Sequence, residues 1–334
     1  MSANGRFEGR TVAVTGAGGF IGSALARGLI GAGADVVGLD LTPAAAARIE
    51  SAGARFVRAD VTDRPALERA LEDIELAIHA AAYVHEWGQM EEFVRVNVGG
   101  TVALLDAAEA AGLKRVVHIS SVVIYGYDEP GEQDEAAFRR ACGIPYIDTK
   151  SSSDRIACDR GAVVVRPGDV YGPTGAQWVL RPALMAVAGR LAVPGRGEGL
   201  MLPVYVDDLV EAVLAALERG RPGTPYTVWS DETVTFGEYF DRIARIAGRE
   251  RARRLPRPLL ALAGAGMEAI ARLLRRDPTF TARAVTFVER RGTASNRRAR
   301  NELGWAPQVD LDEGLRRCER WLEEEGVPAG RQHA

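Results

Sequence analysis

From Thr11 to about Arg166, short β-branched runs alternate with longer segments rich in alanine and leucine. Apolar runs of this kind, separated by helical segments, are what a parallel sheet buried between helices requires. Residues 11–15, 35–39, 55–59, 76–79, 115–120 and 162–166 are the predicted strands. Residues 22–31, 64–71 and 93–111, and a segment starting near Tyr146, carry apolar positions at helical spacing. The pattern predicts an α/β fold with a doubly wound parallel sheet.

Beyond Gly172 the rhythm breaks. Pro173, Pro182, Pro194, Pro203, Pro222 and Pro225 punctuate short elements, and the helical segments around 207–218 and 236–247 no longer alternate with strong strands. The expected organisation is a sheet domain over 1–171, with 203–229 returning to it. A smaller C-terminal substrate-binding lobe takes 172–202 and 230–326, and 327–334 is a frayed tail. Residues 259–274 are the most membrane-like stretch. Glu268 and Arg272 interrupt it well short of the roughly 20 apolar residues a crossing needs. A buried or interfacial amphipathic helix is expected there, with no integral membrane span.

At 334 residues the chain has room for one large domain or two interleaved ones. Forty-two basic and forty-five acidic side chains leave a net charge of −3, no overall field to gather nucleic acid or an anionic membrane. A small-molecule substrate is favoured. Cys142, Cys158 and Cys318 are an odd set without a close pair, and His79, His85, His118 and His333 lack metal-ligand spacing. A cytoplasmic protein without a metal is expected, and the polar first ten residues hold no stretch of signal-peptide type.

The run Thr15-Gly16-Ala17-Gly18-Gly19-Phe20-Ile21-Gly22 follows the first strand and opens the first helix. Gly16 permits a tight turn, Gly19 lets the backbone approach a pyrophosphate, and Gly22 lets helix and sheet pack closely. The helix amino terminus adds N–H donors and positive partial charge. Eighteen residues after Gly22, at the end of the second strand, stands Asp40. A carboxylate there accepts hydrogen bonds from ribose hydroxyls and repels a 2′-phosphate, so a Rossmann-type domain binding NAD is expected. Asp60-Val61 closes the third strand and His79-Ala80-Ala81-Ala82 the fourth, with small residues where a flat ring and a ribose would lie.

Tyr146 and Lys150 stand four positions apart, on one face of a helix. A phenol titrating near 10 is a poor base at neutral pH, and a nearby ammonium with a positive nicotinamide ring favours its phenolate. Bringing it to neutrality corresponds to roughly 4 kcal/mol. Tyr146 is the expected general acid or base and Lys150 its modifier. Ser120-Ser121 follow an apolar strand, where a hydroxyl can hydrogen-bond a substrate oxygen as its charge changes.

In order, these motifs resemble the extended short-chain dehydrogenases/reductases, the group that includes the NAD-dependent epimerase/dehydratase family. The resemblance extends to Asn97 with Gly100-Thr101, Tyr125-Gly126, Arg166-Pro167, Val170-Tyr171-Gly172-Pro173, Val206-Asp207-Asp208, and Leu303-Gly304-Trp305-Ala306-Pro307 with Leu311 and Trp321. It implies that Ser121 is the catalytic hydroxyl, 25 positions before Tyr146, and that Asn97 lies near the cofactor and serves a proton-relay water. It implies further cofactor contacts from Phe20, Ile21, Ser120, Pro167 and Val170, and a homodimer through the helices that begin at Phe93 and carry Tyr146. Ser151, Ser152 and Ser153 are modest helix formers for that role.

Sugar-nucleotide members commonly place Asn where this chain has Asp169, and Arg shortly before Val206 where it reads Leu200-Met201-Leu202-Pro203. An aspartate would repel a diphosphate, and a lost cationic anchor points to a less charged, more apolar substrate. In this respect the chain is similar to the 3β-hydroxysteroid dehydrogenase-like branch. Arg181, Arg196 or Arg298 remain alternative anchors for a diphosphate.

Overall fold

Seven parallel strands form the central sheet: β1 (Thr11–Thr15), β2 (Asp35–Asp40), β3 (Arg55–Arg58), β4 (Leu76–His79), β5 (Arg115–Ile119), β6 (Val163–Pro167) and β7 (Pro225–Val228). Their order is β3-β2-β1-β4-β5-β6-β7. The structure, a computed structural model, describes residues 5–85, 87–137, 141–274 and 281–327, except for the side chain of Arg272. The expected tail thus falls almost wholly outside the described residues.

Alternate side chains along each strand enter two separate apolar layers, as the period of two demands. Val14, Ile78, Val117 and Val165 face one layer, and Ala13, Ala77, Val116 and Val164 face the other. Helix α1 (Phe20–Gly31) covers the first face. α2 (Arg64–Ala70) and α3 (Gly100–Ala110) cover the second, to which α4 (Pro145–Asp159) adds Ala157. Helix α5 (Val206–Arg219) joins α1 so closely that a Cβ on Gly28 would stand 2.3 Å from Val210.

The order of connection reverses between β1 and β4, which opens a crevice at the carboxyl ends of those strands. The register places Thr15 beside His79 and His79 beside His118, so these ends lie level. β7 joins the sheet at its edge and pairs Tyr226 with Val165. Its leading Pro225 is tolerated because it starts an edge strand.

The long helix expected over 93–111 is interrupted. It starts at Met90–Phe93, widens to a π-helical Val94–Gly99, and continues as α3. π segments concentrate at functional sites, and this one carries Asn97. A six-residue π segment is too short to establish a period of its own, so apolar spacing does not reveal it.

The C-terminal part is stitched by short pairings rather than a sheet of its own. Gly292–Ala294 pairs with Gly131–Gln133, Arg253–Leu255 with Ala192–Pro194, and Pro203–Tyr205 with Asp169–Tyr171. α6 (Phe236–Ile246) starts at a reciprocal Thr235/Glu238 cap, α7 spans Arg257–Leu274, and α8 (Leu311–Glu324) is capped by Asp310.

Candidate active site

The glycine loop forms a closed turn between β1 and α1. Gly16 has φ of +67°, and a Cβ there would meet the Ala81 Cα at 2.8 Å. A Cβ on Gly22 would stand 2.1 Å from the Gly16 carbonyl oxygen. The loops after β1 and β4 therefore touch, backbone to backbone, and the Ala81 N–H donates to Thr15 Oγ1 at 3.2 Å. α1 begins at Gly19 without a side-chain cap, leaving its first N–H groups aimed out of the helix. This is a cradle a Cβ would fill, and its donors suit a pyrophosphate.

Asp40 accepts from the Gly18 N–H and the Thr42 N–H, both at 3.0 Å. Its carboxylate is thus anchored beside the glycine loop with Arg48 nearby, whose guanidinium donates to the Gly18 carbonyl at 2.6 Å. Sequence reading missed Gly18, where a Cβ would lie 2.3 Å from Ala45 and 3.0 Å from Asp40. Asp60 accepts from the backbone and hydroxyl of Thr62, both at 2.8 Å, and Val61 packs under Gly100. Ala80, Ala81 and Ala82 are half-buried in the crevice wall, as is Ile21 on α1. Phe20 reaches across to the Gly172–Gly175 turn; Pro167 is buried and Val170 half-buried.

Tyr146 lies near the start of α4, half-buried, with the Ser121 hydroxyl close enough to lower its pKa. Ser121 also accepts from the Val123 N–H at 3.3 Å, which fixes it at the end of β5. Lys150 is buried, and its Nζ donates to the Ile119 carbonyl at 2.8 Å. The neighbouring Ser120 hydroxyl is buried with no partner among the described residues, an orphaned polar group just past the end of β5.

The chain's own residues, taken without a nicotinamide ring, do not lower the phenol. Burial pushes Tyr146 up to about 12, the Asp169 carboxylate adds to the rise, and the Ser121 hydrogen bond opposes it. Burial pushes Lys150 down to about 8, with Asp154 acting against it. The chain's own residues therefore keep the phenol protonated, and the lysine is held by a carbonyl.

Asn97 is buried and fully engaged. Its Oδ1 accepts from the Tyr83 N–H at 2.7 Å, and its Nδ2 donates to the Tyr83 carbonyl at 3.2 Å and to Thr149 Oγ1 at 3.1 Å. In this state it ties the loop after β4 to the Tyr146 helix. A row of polar side chains runs behind it. His79 contacts Thr15 Oγ1 at 2.8 Å and Thr101 Oγ1 at 3.2 Å, and its ring centroid is 5.3 Å from that of His118. Burial and the Lys150 charge push His79 down to about 3 and His118 well below the usual imidazole range, so both are neutral.

α4 is clamped from its far end. Arg166 donates Nε and Nη2 to the Asp154 carboxylate at 2.9 and 2.7 Å, and Nη1 to the Tyr125 hydroxyl at 3.1 Å. On the substrate side, Asp169 is not the free carboxylate expected: Arg290 neutralises it. Tyr127 and Arg290, both buried, were missed because they stand outside every recognised motif. The Arg290 guanidinium lies 5.5 Å from the Tyr127 ring centroid, and Phe287 packs on the same ring at 4.9 Å. Of the alternative anchors, Arg298 donates to the Pro225 carbonyl and Arg196 is 88% exposed. Arg181 lines an apolar groove with Trp178, Met185, Phe240, Leu260 and Phe287.

A family model for the NAD dependent epimerase/dehydratase family matches residues 12–229. The chain is 27% identical to the 2-alkyl-3-oxoalkanoate reductase of Shewanella oneidensis, over 92% of this chain and 85% of that one. It is 31% identical to a dTDP-glucose 4,6-dehydratase of Streptomyces griseus, over 95% and 97%. Among solved structures, MoeE5 in complex with UDP-glucose and NAD is similar, with a TM-score of 0.75 and 26% identity over 94% of this chain and 99% of that one.

Proposed function

The chain belongs to the NAD-dependent epimerase/dehydratase family, and from that membership we propose that it moves a hydride between NAD and a secondary alcohol or ketone of a small, rather apolar substrate. Tyr146 is the general acid or base. The observation that carries the reading is the Tyr146 phenol beside the Ser121 hydroxyl that follows β5, with Lys150 one helical turn on.

The glycine loop, Asp40 and the uncapped start of α1 would hold the dinucleotide, and the Ser120 hydroxyl and Ala80–Ala82 would face it. Bound NAD supplies the hydride acceptor or, reduced, the donor. The residues do the rest. Ser121 orients the substrate oxygen, and Tyr146 exchanges a proton with it: to the oxygen when a ketone is reduced, from it when an alcohol is oxidised. A phenol kept protonated by burial is ready to donate, and the positive ring of oxidised NAD, when bound, would favour the phenolate needed to accept. Asn97 positions α4 through Thr149. The reading includes a homodimer built on α3 and α4.

Two features support an apolar substrate and the 3β-hydroxysteroid dehydrogenase-like branch. The buried Arg290 is committed to Asp169, and a groove of the C-terminal part, lined by none of Ser121, Tyr146 and Lys150, is walled by Trp178, Met185, Phe240 and Phe287. The second reading, transient hydride transfer on a nucleotide sugar, is favoured by the dehydratase relative. Absorbance at the NADH wavelength separates them. Incubation with NADH and a panel of 3-oxoacids and aliphatic ketones is expected to consume NADH. Conversion of UDP-glucose or dTDP-glucose without net change in NADH, with no turnover of the ketones, would overturn the proposal.

A further inference from the structure

Five of the nine large apolar side chains exposed among the described residues stand on α7: Leu259, Leu262, Ile270, Leu273 and Leu274, between 51% and 83% exposed. Leu259, Leu262, Gly266, Ala269 and Leu273 recur every three or four positions and form one outward stripe. The inner face is apolar as well. Leu260 and Ala271 are buried, and Gly264 lies so close to the next helix that a Cβ would meet the Ala282 nitrogen at 2.4 Å. Glu268, the one acidic residue of the helix, is turned inward, where it accepts the Ala282 N–H at 2.9 Å. A helix apolar on both faces belongs in a protein core or in lipid, yet one face of α7 is open.

Charge decides what covers it. By sequence, the described part of 249–283 holds seven arginines against two carboxylates, in a chain whose net charge is −3, and two of the seven are paired outside it, Arg254 with Asp241 and Arg257 with Glu289. Arg251 and Arg253 before the helix and Arg283 after it are exposed. The overall charge that argued against an anionic surface thus conceals a local basic patch around an apolar stripe. A second copy apposed on the same face about a two-fold axis would bring like charges together around the seam. Lipid phosphates would neutralise them.

We propose that α7 is an interfacial helix that seats the enzyme on an anionic lipid bilayer, with the leucine stripe among the acyl chains and the flanking arginines at the headgroups. No described helix is long and apolar enough to cross a membrane, so α7 lies in the plane of the surface, about 27 Å long at 1.5 Å per residue.

Co-sedimentation of the full chain with phosphatidylcholine vesicles, with and without phosphatidylglycerol, tests this. Binding is expected to the phosphatidylglycerol vesicles and to fall with added salt. Arg251→Gln with Arg253→Gln should lower partitioning by roughly twentyfold, since each arginine near such a surface contributes about a factor of five. Leu262→Glu with Leu273→Glu should abolish it while leaving the thermal midpoint unchanged. The proposal is overturned by absent sedimentation, by binding that survives the glutamates, or by a dimer in solution that the glutamates convert to monomer. The last result assigns the stripe to a second copy.

Discussion

The guanidinium of Arg290 grips the carboxylate of Asp169 with two nitrogens, Nη1 at 2.6 Å from Oδ2 and Nη2 at 3.2 Å from Oδ1, across 121 positions of sequence. Both side chains are buried, and Asp169 Oδ2 also accepts the Leu202 N–H at 2.9 Å. The pair fastens the C-terminal segment to the strand that follows β6. An aspartate expected to face the substrate as a bare charge is instead neutralised inside the wall.

Removing one partner of such a pair strands a buried charge, which costs about 3–5 kcal/mol, whereas an apolar pair of similar volume is often tolerated. Arg290→Met should therefore lower the urea midpoint by that order, and adding Asp169→Leu should recover most of the loss. A double variant no more stable than the single one would show that the stranded carboxylate is not the cause.

Tyr146→Phe removes the hydroxyl that meets Ser121 but keeps the ring packed at the start of α4. Turnover of an identified ketone should fall by roughly a hundred- to ten-thousandfold. Calorimetric NAD affinity should stay nearly constant, because the cradle does not depend on that oxygen. Retained turnover removes Tyr146 from the chemistry.

The sheet and the cradle were legible because their physics is local. β-branched runs such as Val163 to Val165 specify buried parallel strands, and a glycine packed on a carbonyl is visible as a gap in side-chain volume at a fixed spacing. The nearness of Tyr146 and Ser121 was implied by the family resemblance rather than by local physics, since a strand end and a helical period do not bring together residues 25 positions apart. What escaped depends on distant partners. Nothing near Asp169 announces Arg290, and nothing near Asn97 announces that Tyr83 and Thr149 consume its hydrogen-bonding capacity. The raised phenol escaped too, because desolvation is set by everything packed around Tyr146 and spacing from Lys150 reports only one term of it.

Gly22 and Gly31 sit on the same helix in opposite circumstances. A Cβ on Gly22 would stand 2.1 Å from the Gly16 oxygen, while one on Gly31 has nothing within 4 Å. Gly22→Ala should thus push α1 from the loop and weaken NAD binding by at least tenfold, with lower thermal stability. Gly31→Ala should leave affinity unchanged. Equal NAD affinity in both variants would mean that contact between the loop and α1 does not shape the dinucleotide site.

Lys150 provides a pH signature. In the folded protein burial pushes it down to about 8, and in the unfolded chain it titrates near its ordinary value of 10.5. Between those values the unfolded state binds more protons, so stability rises with pH across the window. Below about pH 8 the full cost of burying the ammonium is present, on the order of 3 kcal/mol, and by pH 10.5 it has faded. Lys150→Met carries no such proton. Its stability relative to the native chain, measured by denaturant unfolding at each pH, should be highest at pH 7–8 and shrink steadily toward pH 10.5. Tyr146 and the other alkaline groups are common to both proteins and cancel in the difference. A difference that stays flat over that range would show that the ammonium is not desolvated in the fold.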